Sequence, residues 1–280
     1  MQVFESVHSI HEALIKIKTK QSIGFVPTMG ALHQGHLSLI EKARSENDRV
    51  VVSIFVNPTQ FDKAEDLLHY PRTLESDLAL LEESGCDYVF APTPEDIYNS
   101  DIKSLRFNFG GLESAMEGKH RKGHFDGVAT IVKKLFEIVV PDTAYFGEKD
   151  FQQLQIIKKL VAQYKLPVKI IACPIYREMD GLAMSSRNTR LTPEQRNEAP
   201  FIYKTLKKAR QLFKDQSIDK VIAWVENEFK NNPVLSLEYF EIADSTSLQS
   251  AKRKSKKARY RAFIAVYADT IRLIDNIALN

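Results

Sequence analysis

Ile23-Gly24-Phe25-Val26-Pro27-Thr28-Met29-Gly30-Ala31-Leu32-His33-Gln34-Gly35-His36-Leu37-Ser38-Leu39-Ile40 is the stretch on which the fold turns. A short apolar run closes at Pro27, and Thr28, Met29 and Gly30 turn the chain. His33 and His36 then flank Gly35, and Leu37, Ile40 and Ala43 continue at helical spacing. The pattern predicts a strand over 23–28, a tight turn, and a helix from Gly35 to about Ser45. A helix start carries N–H groups without intrahelical partners and the positive end of the helix dipole, so it attracts anions. Imidazole N–H groups donate to phosphate oxygens, and a donor whose bond strengthens in the transition state speeds the reaction. Two histidines and a glycine at such a helix start predict a site for a phosphate chain.

Outward from this stretch the chain alternates. Val7, Ile10, Leu14 and Ile17 predict a helix over 7–18. Val50 to Val56 is a continuous β-branched apolar run, the signature of a strand buried on both faces of a parallel sheet. A helix is expected over Thr73–Ser84, a strand over Asp87–Phe90, a helix over Gly127–Val139 and a strand over Thr143–Phe146 ending at Gly147. A helix over Phe151–Tyr164 and a strand over Val168–Cys173 complete the pattern. Five strands alternating with helices predict an α/β fold, a doubly wound parallel sheet with ligands at the carboxyl ends of its strands, spanning residues 1–174.

Beyond Cys173 the texture changes, and a smaller C-terminal α+β domain is expected over 175–280. Thr192-Pro193-Glu194-Gln195 has the form of a capping box with proline at the first helical position, opening a helix to about Phe213 that Pro200 should kink. A helix over Ile218–Phe229 and strands over Leu235–Ile242, Arg261–Ala268 and Thr270–Ile274 follow.

Composition narrows the function classes. The 280 residues suit one large domain or two ordinary ones, and a net charge of +3 is too mild for a dedicated nucleic-acid binder. Cys86 and Cys173 have neither a disulfide framework nor zinc-site spacing, so a reducing cytosol is the default. Met1 to Ile10 lacks the form of a signal peptide, and no apolar run approaches the roughly 18 residues of a membrane span. A soluble cytoplasmic protein without a membrane partner is expected. The densest charge run, Lys252-Arg253-Lys254-Ser255-Lys256-Lys257 followed by Arg259 and Arg261, has only Tyr260 for an interleaved aromatic, so it reads as a solvated loop between strands before it reads as an RNA contact.

Five further stretches carry polar chemistry. Met184-Ser185-Ser186-Arg187-Asn188, after Asp180-Gly181, offers hydroxyls and a guanidinium to a triphosphate. Gly147-Glu148-Lys149-Asp150 sits at a strand-to-helix turn, where glycine admits a close approach, Lys149 supplies a point charge and Asp150 suits a helix start. Asn57-Pro58-Thr59-Gln60-Phe61 places amides after a strand, suited to hydroxyl and carboxylate recognition or simply to a turn. Tyr70-Pro71-Arg72-Thr73 offers Thr73 as a helix N-cap, and in His124-Phe125-Asp126-Gly127-Val128 the Asp126-Gly127 pair could simply begin a helix.

Together these pieces resemble the pantothenate synthetases, the AMP-forming pantoate–β-alanine ligases of the His-x-Gly-His nucleotidylyltransferase superfamily. The resemblance rests on Pro27–His36, Phe55–Phe61, Tyr70–Thr73, Gly123–Val128, Phe146–Leu154 and Met184–Asn188, in that order along nearly the whole chain, and extends to Arg272-Leu273-Ile274-Asp275-Asn276. It implies a Rossmann-like ATP- and pantoate-binding domain with a C-terminal lid. It also implies two half-reactions: pantoate and ATP give pantoyl adenylate and pyrophosphate, and β-alanine then displaces AMP. By position His36 is the proton donor and His33 shares the phosphates. Met29, Gly30, Ala31, Leu32, His33, Gln34, Gly35 and His36 line the ATP site, completed by Gly147, Glu148, Lys149, Asp150, Met184, Ser185, Ser186 and Arg187. Tyr176 lies beside the adenosine. Gln60 and Gln153 hold pantoate, Gln60 near β-alanine, with Asn57, Tyr70 and Phe125 as pocket walls. Mg2+ is expected on the ATP phosphates with no protein ligand named, and a homodimer through the first domain is implied. Lys122, Tyr176, Arg190 and Pro200 depart from the family's usual residues. The alternatives are a nucleotidyltransferase acting on a phosphorylated small molecule, which shares His33 and His36, and a nucleotide-binding or RNA-associated protein using residues 252–261.

Overall fold

The computed structural model describes residues 1–99 and 101–280, which form two compact units. The first comprises residues 1–113, 117–148 and 153–174, and the second comprises 114–116, 149–152 and 175–280.

The first unit is built on a parallel sheet of six strands: β1 (Gln2–Phe4), β2 (Ile23–Thr28), β3 (Arg49–Ile54), β4 (Tyr88–Phe90), β5 (Thr143–Gly147) and β6 (Lys169–Cys173). Its helices are α1 (Val7–Lys18), α2 (Gln34–Glu46), α3 (Ala64–Leu68), α4 (Leu74–Glu83), α5 (Pro94–Tyr98), α6 (Met116–His120, whose first residue belongs to the second unit), α7 (His124–Val139) and α8 (Phe151–Tyr164, whose first two residues also do). The strand order is β1-β4-β3-β2-β5-β6. β2 pairs with β3 in the register Phe25↔Val51 and with β5 in the register Phe25↔Ala144. The chain moves from β2 toward one edge and returns to β5 on the other side, so the carboxyl end of β2 lies at the topological switch point, where such sheets bind ligands. The apolar run of β2 is buried because it is central: Ile23, Phe25 and Val26 are fully enclosed.

The α/β expectation stands, with corrections to its elements. The sheet has a sixth strand, β1, whose three residues are too few to show a strand period. β3 stops at Ile54, two residues early, because Pro58 cannot donate a ladder bond and Pro58–Gln60 coil into a 3-10 turn. α7 begins at His124, not Gly127: Gly123 takes the left-handed conformation (φ 78°), and Asp126 inside the first turn accepts the Phe107 N–H at 3.0 Å.

The second unit carries α9 (Pro193–Glu198), α10 (Phe201–Asp215) and α11 (Ile218–Lys230) beside the antiparallel sheet β7 (Leu235–Asp244), β8 (Tyr260–Ala268), β9 (Ile271–Ala278). The capping box is present: Gln195 N–H donates to the Thr192 hydroxyl at 3.2 Å and Thr192 N–H to Gln195 Oε1 at 3.0 Å. Pro200 does more than kink the expected helix. It divides it into α9 and α10, since its nitrogen cannot continue the ladder and it serves as the N-cap of α10. Leu206, Ala209, Val221, Val225, Ile264 and Val266 form the core. β9 runs to Ala278, well past the expected Ile274, because Asp275 and Asn276 stay in register with Ile264 and Phe263. Arg261 is not part of a solvated basic loop. It lies buried in β8, while Lys252–Lys257 and Arg259 are exposed on the β7–β8 connection.

The far end of α2 is tied to β5 by a buried tyrosine. Asn47 Nδ2 donates to the Tyr145 hydroxyl at 2.7 Å, and that hydroxyl donates to Glu46 Oε2 at 2.9 Å. Tyr145→Phe, which keeps the ring and removes the hydroxyl, is expected to lower stability by about 1 kcal/mol in urea denaturation.

Candidate active site

In the first unit the turn after β2 is held by a carboxylate. Gly30 (φ 79°) and Ala31 (φ 50°) are both left-handed, a conformation an alanine adopts only when its surroundings hold it there. Asp77, only 1% exposed on α4, accepts the Ala31 N–H at 2.9 Å through Oδ2 and the Leu32 N–H at 2.8 Å through Oδ1. Thr28 adds a second hold, donating its hydroxyl to the Ser53 carbonyl at 2.7 Å and accepting the Gly30 N–H at 3.2 Å. Sequence reading missed Asp77, which looks like any acidic residue in a first helical turn; its partners lie 45 and 46 residues away. Thr73 occupies the N-cap position of α4, but its hydroxyl donates to Asp77 Oδ1 at 3.2 Å rather than capping the helix.

The turn delivers the chain to α2, where His33 is the N-cap and His36 the third helical residue. Their rings stack at 4.0 Å with 28° between planes, and His33 N–H donates to His36 Nδ1 at 3.3 Å. An accepting Nδ1 puts the proton of the neutral His36 ring on Nε2. Gln34 and Gly35 form the first turn of α2, where N–H groups lack intrahelical partners. The Gly30, Ala31, Leu32 and His33 N–H groups are all engaged within the turn and the helix start.

A cluster of amides meets this turn. Asn57, 1% exposed, donates through Nδ2 to Gln60 Oε1 at 3.0 Å and to the Gly127 carbonyl at 3.2 Å. Its Oδ1 accepts the Tyr98 hydroxyl at 2.6 Å and the Thr59 hydroxyl at 3.1 Å. With its carbonyl held by Asn57, the Gln60 amide points its nitrogen at Met29 Sδ, 3.1 Å away. The Gln60 backbone carbonyl meets His124 Nδ1 at 2.8 Å. Burial pushes the Tyr98 phenol up, so it stays protonated and donating; sequence reading missed it because α5 lies outside every quoted motif. Gly127 has a reason beyond helix entry: a Cβ there would lie 2.2 Å from the Thr59 carbonyl oxygen, so only glycine lets α7 close on this turn. Tyr70 is buried with its ring edge-on to Phe61, and Phe125 is buried beside His124. Gln153 lies half-buried in the first turn of α8, Gly147 ends β5 opposite Cys173, and Glu148 opens the turn that follows.

In the second unit, the Lys149 ammonium lies 3.6 Å from Asp150 Oδ2. Ser185 caps the 3-10 turn Ser186–Arg190, its hydroxyl accepting the Arg187 N–H at 3.3 Å. Ser186 is buried, Met184 and Arg187 are half-buried, and Tyr176 is exposed, its carbonyl accepting the Met184 N–H at 3.0 Å. Asn188 anchors the segment through Nδ2 to Glu178 Oε1 at 2.9 Å and to the Ala183 carbonyl at 3.2 Å. Among the described residues no group of three or more His, Cys, Asp or Glu side chains is arranged to hold a metal ion. Among the described residues no helix is long and apolar enough to cross a membrane.

A parallel sheet whose switch-point strand runs into a His-x-Gly-His helix start defines an α/β protein built to handle a phosphate chain. The chain belongs to the pantoate-beta-alanine ligase family, whose model matches residues 2–278. The pantothenate synthetase of Christiangramia forsetii is 57% identical with all of both chains covered, and that of Flavobacterium psychrophilum is 56% identical over 94% of each. The pantothenate synthetase structure from Thermus thermophilus is 40% identical with a TM-score of 0.92, covering 100% of this chain and 99% of that one. The Francisella tularensis pantoate-beta-alanine ligase, complexed with beta-gamma ATP and beta-alanine, is 36% identical with a TM-score of 0.82, covering 100% of this chain and 98% of that one.

Asp77→Asn keeps the shape but turns one acceptor into a donor facing an N–H group. It is expected to cost about 1–3 kcal/mol and to speed hydrogen exchange at the Ala31 and Leu32 amides. Gly127→Ala should cost about as much by overpacking, read as a lower urea midpoint.

Proposed function

We propose that this chain is an ATP-dependent ligase that joins pantoate to β-alanine through a pantoyl adenylate, releasing pyrophosphate and AMP. The observation that carries this reading is the junction of two kinds of group in the first unit. The histidine-bearing helix start suits a triphosphate, and Gln60, which touches its turn at Met29, suits a hydroxy acid. A carboxylate is a poor acyl donor until one of its oxygens belongs to a good leaving group. A pantoate carboxylate oxygen attacks the α-phosphorus, the bond from that phosphorus to the bridging oxygen breaks, and the electron pair leaves with pyrophosphate. The amine of β-alanine then attacks the acyl carbon, loses a proton, and AMP departs with the oxygen that came from pantoate. Neither step needs a covalent enzyme nucleophile, so positioning and charge stabilisation supply the rate.

In this reading the His36 Nε2–H donates to the pyrophosphate oxygens as negative charge develops there, with His33 stacked beside it and Gln34 and Gly35 supplying backbone N–H groups. Met29, Gly30, Ala31 and Leu32 shape the ATP site. Lys149 and Arg187 neutralise phosphate charge, Ser185 and Ser186 bind phosphate oxygens, and Gly147, Glu148, Asp150, Tyr176 and Met184 complete the nucleotide contacts. Gln60 and Gln153 hold the pantoate hydroxyls and carboxylate, Asn57 orients Gln60, and Tyr70 and Phe125 wall the pocket. The nucleotide substrate is MgATP, with the ion carried on the phosphates, in keeping with a chemistry in which magnesium binds substrate oxygens and waters more than protein cages. The family resemblance supports a cytoplasmic homodimer formed through the first unit, which light scattering on the purified protein tests directly.

Exchange of labelled pyrophosphate into ATP is expected to require pantoate and to proceed without β-alanine; no exchange under those conditions would overturn the adenylation step. His36→Ala is expected to lower kcat about 10²–10⁴-fold with an unchanged far-UV spectrum, the range for losing a proton donor or an electrostatic stabiliser.

A further inference from the structure

The second unit holds a buried polar network that the proposed chemistry does not use directly. In β9, Asp275 and Asn276 are 4% and 2% exposed. Arg177 grips Asp275 with two parallel bonds, Nη1 to Oδ2 at 2.7 Å and Nη2 to Oδ1 at 2.9 Å, while its guanidinium lies 3.7 Å from the Tyr203 ring centre. Asp275 Oδ1 also accepts the Asn276 N–H at 2.7 Å. The Asn276 side chain is held at both ends: Arg261 Nη1 donates to its Oδ1, and its Nδ2 donates to the Lys149 carbonyl at 2.8 Å. Because a guanidinium can only donate, Arg261 fixes which way the amide faces and commits the NH2 group to Lys149. Arg261 in turn lies 4.0 Å over the Phe151 ring, which packs against Phe263 at 5.9 Å, and Gln152 Nε2 donates to the Ala115 carbonyl at 2.8 Å. The segment 149–152 is therefore held at three residues, Lys149 by its backbone carbonyl, Phe151 by its ring and Gln152 by its side-chain amide.

We propose that Asn276 is a positioning residue for Lys149, holding the backbone from which that lysine's ammonium reaches the phosphates of ATP. The proposal rests on the reading of Lys149 as a phosphate ligand. Buried ionic and amide groups of this kind add little net stability over apolar replacements, whereas they do fix geometry. A lysine is a point charge on a flexible stem, so its aim depends on where its Cα is anchored. The Lys149 carbonyl is one bond from that Cα, and Asn276 is the side chain that holds it.

The two half-reactions separate positioning from stability. Lys149 would act on the departing pyrophosphate, which plays no part once pantoyl adenylate has formed. Asn276→Ala should slow pantoate-dependent adenylation in single turnover by about tenfold to a hundredfold, the range for a misplaced catalytic group. It should leave release of AMP from supplied pantoyl adenylate by β-alanine within about twofold to threefold of the native rate, whereas damage to the unit as a whole would slow both. Lys149→Ala should slow adenylation at least as much, and the double variant should be no slower than Lys149→Ala alone, as for two residues acting through one contact. Asn276→Asp, which keeps the shape and the Arg261 contact but turns a carboxylate oxygen to the Lys149 carbonyl, serves where the alanine variant does not fold. Equal slowing of both half-reactions, multiplicative losses in the double variant, or native adenylation by both Asn276 variants beside an impaired Lys149→Ala would overturn the positioning role. Native adenylation by Lys149→Ala would instead overturn the reading of Lys149 itself.

Discussion

The carboxylate of Asp77 is the contact on which the first unit's chemistry depends. By accepting two successive backbone N–H groups it holds Ala31 in a left-handed conformation and sets the angle at which the chain leaves β2. Everything downstream inherits that angle: the start of α2, the stacked imidazoles of His33 and His36, and the proton on His36 Nε2. A buried carboxylate is costly unless it is hydrogen-bonded, and here the N–H groups it satisfies would themselves be unpaired without it. The site is thus preorganised by backbone geometry, with the side chains proposed to meet the phosphate riding on it.

A second constraint governs the side proposed to take the hydroxy acid. Asn57 spends its whole amide on neighbours, orienting Gln60 and tying it to α7, and Gly127 makes room for that approach. Gln60 is left with its carbonyl engaged and its amide nitrogen turned to Met29. Neutral amides suit discrimination of a hydroxyl-bearing carboxylate, because each donor and acceptor left unpaired by a wrong substrate costs free energy. The second unit works by the same logic, with Asn188 and Asn276 each holding a backbone carbonyl next to residues proposed to meet ATP.

Local pattern made much of this legible. β2, α1 and α8 follow directly from apolar spacing, because a central strand and an amphipathic helix each leave a period in the sequence. The Thr192 capping box was equally visible, since its partners lie three residues apart. What escaped had no local signature. β1 is three residues long, and the Pro200 break depends on whether a helix bends or divides around the missing N–H. Asp77, Tyr98 and Asn276 act across 45, 41 and 127 residues of sequence, and nothing near them in the chain announces the partner. Arg261 opens the expected strand, but its nearness to a basic run grouped it with solvated charges, whereas its place in β8 leaves it buried. Motif residues could be named from the chain; the residues that aim them came from long-range geometry.

The central claim is that this fold activates a carboxylate by joining one of its oxygens to the α-phosphorus of ATP. Oxygen transfer tests it most directly. With pantoate labelled by 18O in both carboxylate oxygens, turnover with ATP and β-alanine should yield AMP carrying one labelled oxygen and pantothenate retaining the other. Unlabelled AMP, or label appearing in inorganic phosphate alongside ADP, would mean activation at a different phosphorus and would contradict the account.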